Sequence, residues 1–319
     1  MMDLITPFLM QSAVQAITPV LLAALAGVLC GRVGVFNMAL EGQMLIGAFF
    51  AVVGSYYFGG ALAGVLAAMI AAVIFSLILA YGATIFRGDP VVICIGMNLL
   101  ASGLTAYLLR QMFGVSGTFS DPAIYGLDKI RIAWLQAVPV LGWGFGRQTI
   151  LTWLAWGLVI VVAVVLFRTA IGLRLRGVGE QPDAAETLGV NVRTYRVVTV
   201  LVAGAICGLA GAQLSLGSVN IFSEDMSAGR GWIAVVAVML ARDNPLYAAG
   251  ACVLFGFADG LSIRLQSAGL PNQLTDTAPY LVTLAALVIS HRRRRRSIPS
   301  AELTAATPGS ATETQPDTR

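Results

Sequence analysis

Long apolar runs are the feature that most limits what this chain can become. Segments near 13–31, 42–60, 61–86, 90–113, 148–167, 197–216, 245–263 and 276–290 are apolar and carry few charges. About 20 such residues in helical form cross the ~30 Å hydrocarbon layer of a bilayer. A further run, "GWIAVVAVMLA" at 231–241, is shorter and reads as a half-span or re-entrant piece. Period-two alternation is absent, which favours a helical bundle over a barrel. The expectation is therefore an all-α, polytopic transmembrane helical bundle of about nine spans. Only 11% of the 319 residues are charged, against about 25% in soluble domains. The strings "AGVLCG", "GALAGVLAA" and "AGAICGLAGAQ" suit helices that pack through small residues.

The distribution of arginines orients the bundle. One set of loops holds Arg32, Arg87, Arg168, Arg174, Arg176, Arg193, Arg196, Arg242 and Arg292 to Arg296. The opposite set holds only Arg110, Lys129, Arg131, Arg147, Arg230 and Arg264. The richer set is expected in the cytoplasm, which puts the N-terminus outside and the C-terminus inside. Asp3 and the lack of a basic start argue against a cleaved signal peptide. The loop near 114–147 then lies outside, with room for a short surface helix. After "HRRRRR" the tail 291–319 is rich in Ser, Thr, Pro and Ala and reads as a disordered cytoplasmic segment beyond a membrane domain at 1–290. The arginine run is a stop-and-orient signal on anionic lipid, not a nucleic-acid site.

Several chemistries are excluded early. Cys30, Cys94, Cys207 and Cys252 sit singly in apolar spans and read as small packing residues. The one histidine, His291, abuts the arginine run, so no histidine-based zinc or catalytic site is expected. No GxxxxGK[ST] occurs, so any ATP must be bound by another chain. The chain is not expected to be an enzyme, and no cofactor or metal is expected in it.

One polar stretch interrupts the apolar pattern: "RTAIGLRLRGVGEQPDAAETLGVNVRTYR", residues 168–196. Within it "QPDAAETLG" has the grammar of a short helix over 182–189. Pro182 suits the first helical position, Asp183 and Glu186 lie toward its positive end, and Gly189 can end it. Ala184, Ala185 and Leu188 are expected on one face. Upstream, Gly172, Gly177 and Gly179 are expected at sharp turns around Arg174 and Arg176. Such an element either docks in a protein groove or lies on lipid headgroups.

The same stretch resembles the cytoplasmic coupling loop of ABC-importer permeases for branched-chain amino acids, simple sugars and nucleosides. Their pattern is close to "GxxxRAxGxNxxAAxxxGI"; Gly172, Arg176, Gly179, Ala184, Ala185 and Gly189 match it, while Gly177 and Gln181 depart. The resemblance extends through "GRVGVFNMALEGQMLIGAF" and "MSAGRGWIAVVAVM" to "LFGFADGLSIRLQ", covering most of 25–290. These motifs look most like the nucleoside-type permeases. The resemblance implies an inner-membrane subunit that contacts a separate ATPase through the 182–189 helix, including Asp183. It also implies a second, homologous permease, an external solute-binding protein, and ATP and Mg on the ATPase. Simple-sugar and branched-chain amino-acid transport are the alternatives within it.

Ionisable and amide groups inside the spans are the candidates for the solute path. Asn37 and Glu41 are expected as an i, i+4 pair on one helical face; Glu41 either serves the path or pairs with Arg32 at a span end. Asn98 either contacts solute or ties two helices. Asp259 either contacts solute or pairs with a group such as Arg264. Phe36 and Gln43 could add to a nucleoside route. An ion-driven carrier, the rival from another class, would rest on Glu41 and Asp259 alone.

Overall fold

A computed structural model describes residues 7–131, 144 and 146–267, with side chains over 10–130, 144, 146 and 148–260. The described helices are α1 (Pro7–Arg32), α2 (Leu40–Phe58), α3 (Ala61–Thr84), α4 (Pro90–Phe113), α5 (Ile150–Arg168), α6 (Ala170–Glu180), α7 (Pro182–Thr187), α8 (Val192–Ala212), α9 (Arg230–Ala241) and α10 (Pro245–Ser267). The run at 276–290, His291 and the tail lie outside the described residues.

Among the described residues, five stretches are long and apolar enough to span: Met10–Arg32, Ala61–Thr84, Pro90–Phe113, Ile150–Arg168 and the continuous Val192–Val219. The last includes a π-helical turn, Gln213–Val219, that continues α8. Helix α2 carries Glu41 and Gln43, yet most of its residues are buried. It is enclosed chiefly by α3 and α8, and a helix walled by protein needs no lipid-facing surface. Small residues permit this closeness. A Cβ at Gly208 of α8 would overlap the Ala68 carbonyl of α3, and one at Gly211 would overlap the Met44 carbonyl of α2. Helix α1 packs against α8 and α10, and α4 lies at the margin. Helix α9 has 12 residues; at 1.5 Å each it rises about 18 Å, too little to cross ~30 Å alone.

Two small antiparallel ribbons tie the loops. β1 (Thr118–Phe119) pairs with β4 (Phe222–Ser223), and β2 (Lys129–Arg131) pairs with β3 (Arg147–Thr149). The loop after α4 is thus fastened to the segment before α9. Over 114–131 it contains turns and strands; Gly144 is helical, and the rest of 132–145, where a short surface helix would fall, lies outside the described residues.

The polar stretch also differs from expectation upstream of α7. Residues 170–180 form a helix, and neither Gly172, Gly177 nor Gly179 has positive φ. Thr169 caps that helix by accepting from the Gly172 N–H at 3.2 Å. The glycines are spacers within a helix, not hinges.

Candidate functional site

Helix α7 runs from Pro182 at its first position to Thr187, with Leu188 at its cap. Gly189 follows at φ +80°, a conformation that favours glycine, and its N–H donates to the Glu186 carbonyl at 3.0 Å. The expected shared face of Ala184, Ala185 and Leu188 is not formed. Ala185 is 7% exposed and faces its own protein, whereas Asp183 and Ala184 are exposed and Leu188 is 83% exposed. Residue 185 lies about 100° round the helix from 184, and burial places it on the inner side while 184 and 188 lie outside. The outward surface of α7 is therefore Asp183, Ala184 and Leu188.

Helix α6 fixes this projection to the bundle. A Cβ at Gly172 would overlap the carbonyls of Val165 and Leu166, so α6 folds tightly under the end of α5. A Cβ at Gly179 would overlap the Arg32 carbonyl, so α6 lies directly on the last turn of α1. Further contacts gather at and beside that turn. Arg196 Nε donates to the Val33 carbonyl at 3.1 Å, and Arg32 Nε donates to the Asp243 carbonyl at 2.6 Å. The guanidinium groups of Arg32 and Arg176 each lie 5.5 Å from the centre of the Phe167 ring. The turn at 32–34 thus joins α1, α5, α6, α8 and the α9–α10 turn.

From that turn the chain runs back into the bundle as a bend, residues 33–39, with Val33, Val35, Asn37 and Ala39 buried and Gly34 and Phe36 exposed, before α2 begins. Asn37 lies in this bend and not on α2, so it does not share a helical face with Glu41. Its Oδ1 accepts from the Ala39 N–H at 2.9 Å, and its Nδ2 donates to Gln43 Oε1 at 3.2 Å. Gln43 Nε2 in turn donates to Ser76 Oγ at 3.1 Å. Asn98 of α4 ties the bend from the other side: its Oδ1 accepts from the Gly42 N–H at 2.9 Å and its Nδ2 donates to the Met38 carbonyl at 3.0 Å. Helix N-termini leave orphan N–H groups, and these amides satisfy them from neighbouring elements.

Glu41 has a partner that the sequence did not suggest. Its two carboxylate oxygens accept from the N–H groups of Gly229 at 2.8 Å and Gly231 at 2.7 Å. It caps the N-terminus of α9, where the helix dipole is positive, and it does not pair with Arg32. A Cβ at Gly231 would overlap the Glu41 backbone, so the approach needs glycine. The start of α9 is held by one carboxylate from α2. Phe36, 37% exposed, is the large apolar side chain that the bend presents outward.

Among known proteins, the model of a family described as the branched-chain amino acid transport system, permease component, matches residues 9–287. The chain belongs to this family. The guanosine ABC transporter permease protein NupQ of Bacillus subtilis is 37% identical over 280 residues, covering 84% of this chain and 87% of NupQ. The nucleoside ABC transporter permease protein NupC of Lactococcus lactis is 34% identical, over 85% of this chain and 88% of NupC. A protein of Haloferax volcanii named "Putative glucose ABC transporter permease protein TsgC13" is 34% identical, over 92% of this chain and 96% of its own. The fold resembles a structure described as "An inward-facing conformation of a putative metal-chelate type ABC transporter". The TM-score is 0.52, with 15% identity over 87% of this chain and 85% of that one.

Within this permease the structure brings Asn37, Glu41 and Asn98 to one place and leaves Asp259 elsewhere. Asp259 is half-buried on α10 beside Gly260, whose neighbour is Ala13 of α1. Ala13 is 17 residues from Cys30 along α1, so Asp259 lies about 25 Å from the bend. The side chain of Arg264 falls outside the described residues. A second polar chain links the bundle away from the bend: Thr18 donates to Thr152 at 3.3 Å, and Thr149 donates to Gln213 at 2.9 Å. Thr149 and Thr152 are 3.2 Å apart. Gln213 opens the π-helical turn, a local geometry often found at functional sites. Its only sequence signal is one amide in the apolar run "AGAQLSLG".

Proposed function

We propose that this permease is the membrane subunit of an ATP-driven nucleoside importer and that α7 is its contact with a separate ATPase. Two relatives named for guanosine or nucleoside transport, alike over more than four-fifths of the chain, carry the substrate reading. The glucose-named relative favours sugar as the second reading. A homologous second permease and an external solute-binding protein complete the assembly, and ATP and Mg belong to the ATPase. The bundle has about nine crossings in the inner membrane, with the 168–196 loop and the C-terminus in the cytoplasm by the positive-inside rule.

The contacts supply a route for coupling. Movement of α7 carries α6, and Gly179 presses α6 on the 32–34 turn. That turn continues into the bend holding Asn37, which Asn98 and Gln43 hold in register with α2. Glu41 links α2 to the N-terminus of the half-span α9. A pull at the surface therefore shifts α2 against α9 as rigid pieces, and the chain does no chemistry itself.

The test is uptake of labelled guanosine, ribose and glucose by cells expressing the whole transporter, with the chain intact or carrying Ala184→Arg and Leu188→Asp. Both positions face outward, so the fold should survive. Expected are guanosine uptake by the intact transporter, and loss of both uptake and ATPase co-purification in the variant at normal membrane levels. Uptake of sugar alone would replace the substrate reading. Unaltered ATPase binding would remove α7 from the coupling.

A further inference from the structure

Beyond transport, an apolar groove of about 330 Å³ opens between α1, α5, α6 and α8. Leu29 forms its floor, and Val161, Val165, Ile171, Val202 and Ile206 are among its walls. Only two of its lining side chains carry a polar group. Thr199 donates its hydroxyl back to the Tyr195 carbonyl at 2.7 Å, which leaves the wall apolar. The Tyr195 hydroxyl, at one end, accepts from Arg174 Nη1 at 3.2 Å. A hydrogen-bonding solute such as a nucleoside would leave its polar groups unpaired here, so the groove is not the solute path.

We infer that this groove binds one anionic glycerophospholipid, with an acyl chain along α5 and α8 and the phosphate at Arg174 and Arg168. The charges stand where a headgroup would. Arg174 lies between the lining residues Ile171 and Leu175 on α6, and Arg168, three residues from the lining Val165, is the last residue of α5. Arg174 is exposed and donates to the Tyr195 hydroxyl at that end of the groove. Along α8 the groove runs from Tyr195 to Ile206, about 16 Å, or one leaflet of a ~30 Å core. Basic pockets between spanning helices at a cytoplasmic surface suit such headgroups. The lipid would bear on α6, the helix that links α7 to the 32–34 turn.

The inference rests on the reading of this end as membrane surface, but its readout is bound lipid, independent of solute. Full-length chain is released from micelles doped with equal phosphatidylglycerol and phosphatidylcholine of matched acyl chains, and retained lipid is read by native mass spectrometry. Preferential retention of phosphatidylglycerol is expected. Arg174→Gln and Arg168→Gln should each weaken that preference about fivefold without altering phosphatidylcholine. Val202→Trp or Val198→Trp, at half-exposed positions, should fill the groove and abolish retention of both lipids. An undiminished preference in the arginine variants overturns the proposal. So does unchanged retention in both tryptophan variants, or their loss of a co-expressed second permease in place of lipid, which would make the groove a subunit interface.

Discussion

The surroundings of the bend at 33–39 and helix α7 in the 168–196 loop turn their side chains in opposite directions. Around the bend, the amides of Asn37 and Asn98 and the carboxylate of Glu41 all turn inward and satisfy backbone groups of neighbouring elements. On α7, Asp183, Ala184 and Leu188 turn outward with no internal task. Inward groups are coupled to the fold, so replacing one costs stability and transport together. Outward groups can be changed while the fold persists. The separation of those two costs is what mutation can break or sharpen.

The largest effect is expected at Glu41. Glu41→Ala leaves the Gly229 and Gly231 N–H groups without their acceptor, and hydrogen bonds to a charged group are worth about 1.5–3 kcal/mol each. A loss of roughly 3 kcal/mol in stability and near-complete loss of uptake are expected, with Glu41→Gln intermediate because it keeps one acceptor. Thermal unfolding of the purified chain beside an uptake assay checks this. Unchanged unfolding would mean that the start of α9 does not depend on this carboxylate.

Next comes a pair of glycines two residues apart on α6. Gly179→Val drives a side chain into the Arg32 carbonyl, whereas a Cβ at Gly177 meets open space. Overpacking costs about 1–3 kcal/mol, and here it would part α6 from the 32–34 turn. At least a tenfold fall in transport-coupled ATPase activity is expected for Gly179→Val. Gly177→Ala should be neutral or slightly stabilising, because alanine is the better helix former by about 1 kcal/mol. Equal behaviour of the two variants would remove the turn from the coupling route.

Asn98→Ala should lie below these. It unpairs the Gly42 N–H and the Met38 carbonyl, at about 1–3 kcal/mol. Because α4 is marginal in the bundle, the expected outcome is a lower unfolding temperature with partial uptake retained.

Much of this fold is legible in the sequence, for reasons specific to each element. Apolar length reveals α1, α3, α4, α5 and α8, and the shortness of 231–241 already marks a helix too short to cross alone. The grammar of Pro182, Asp183 and Gly189 reveals α7 to within two residues. What remains hidden depends on contacts distant in sequence. Glu41 meets Gly229 and Gly231 across nearly two hundred residues, and no local pattern distinguishes that from a pairing with nearby Arg32. The helix over 170–180 is masked by three glycines whose need for closeness, not for turning, shows only when α1 and α5 are in place. Ala185 looks equivalent to Ala184 until the packing of α7 makes one inner and the other outer.

The smallest effect tests the far side of the same turn. Asp243 adopts φ +55°, a conformation that asparagine also accepts readily. Burial lifts its carboxyl above the ordinary value of 3.8, an effect that the nearby Arg32 charge partly offsets. Because the folded chain holds this proton to higher pH than the unfolded chain, ionisation destabilises the fold. The penalty is absent below pH 3.8, grows as pH rises through the lifted value, and stays constant above it. Asp243→Asn removes the charge while keeping the main-chain carbonyl that accepts from Arg32. At neutral pH it should raise the unfolding temperature by roughly 1–2 °C, since the group is only partly buried. The advantage should shrink as pH falls toward 4. A variant less stable than the intact chain at pH 7 would show that the charge on Asp243 steadies Arg32, so that the turn depends on an ion pair as well as on backbone contacts.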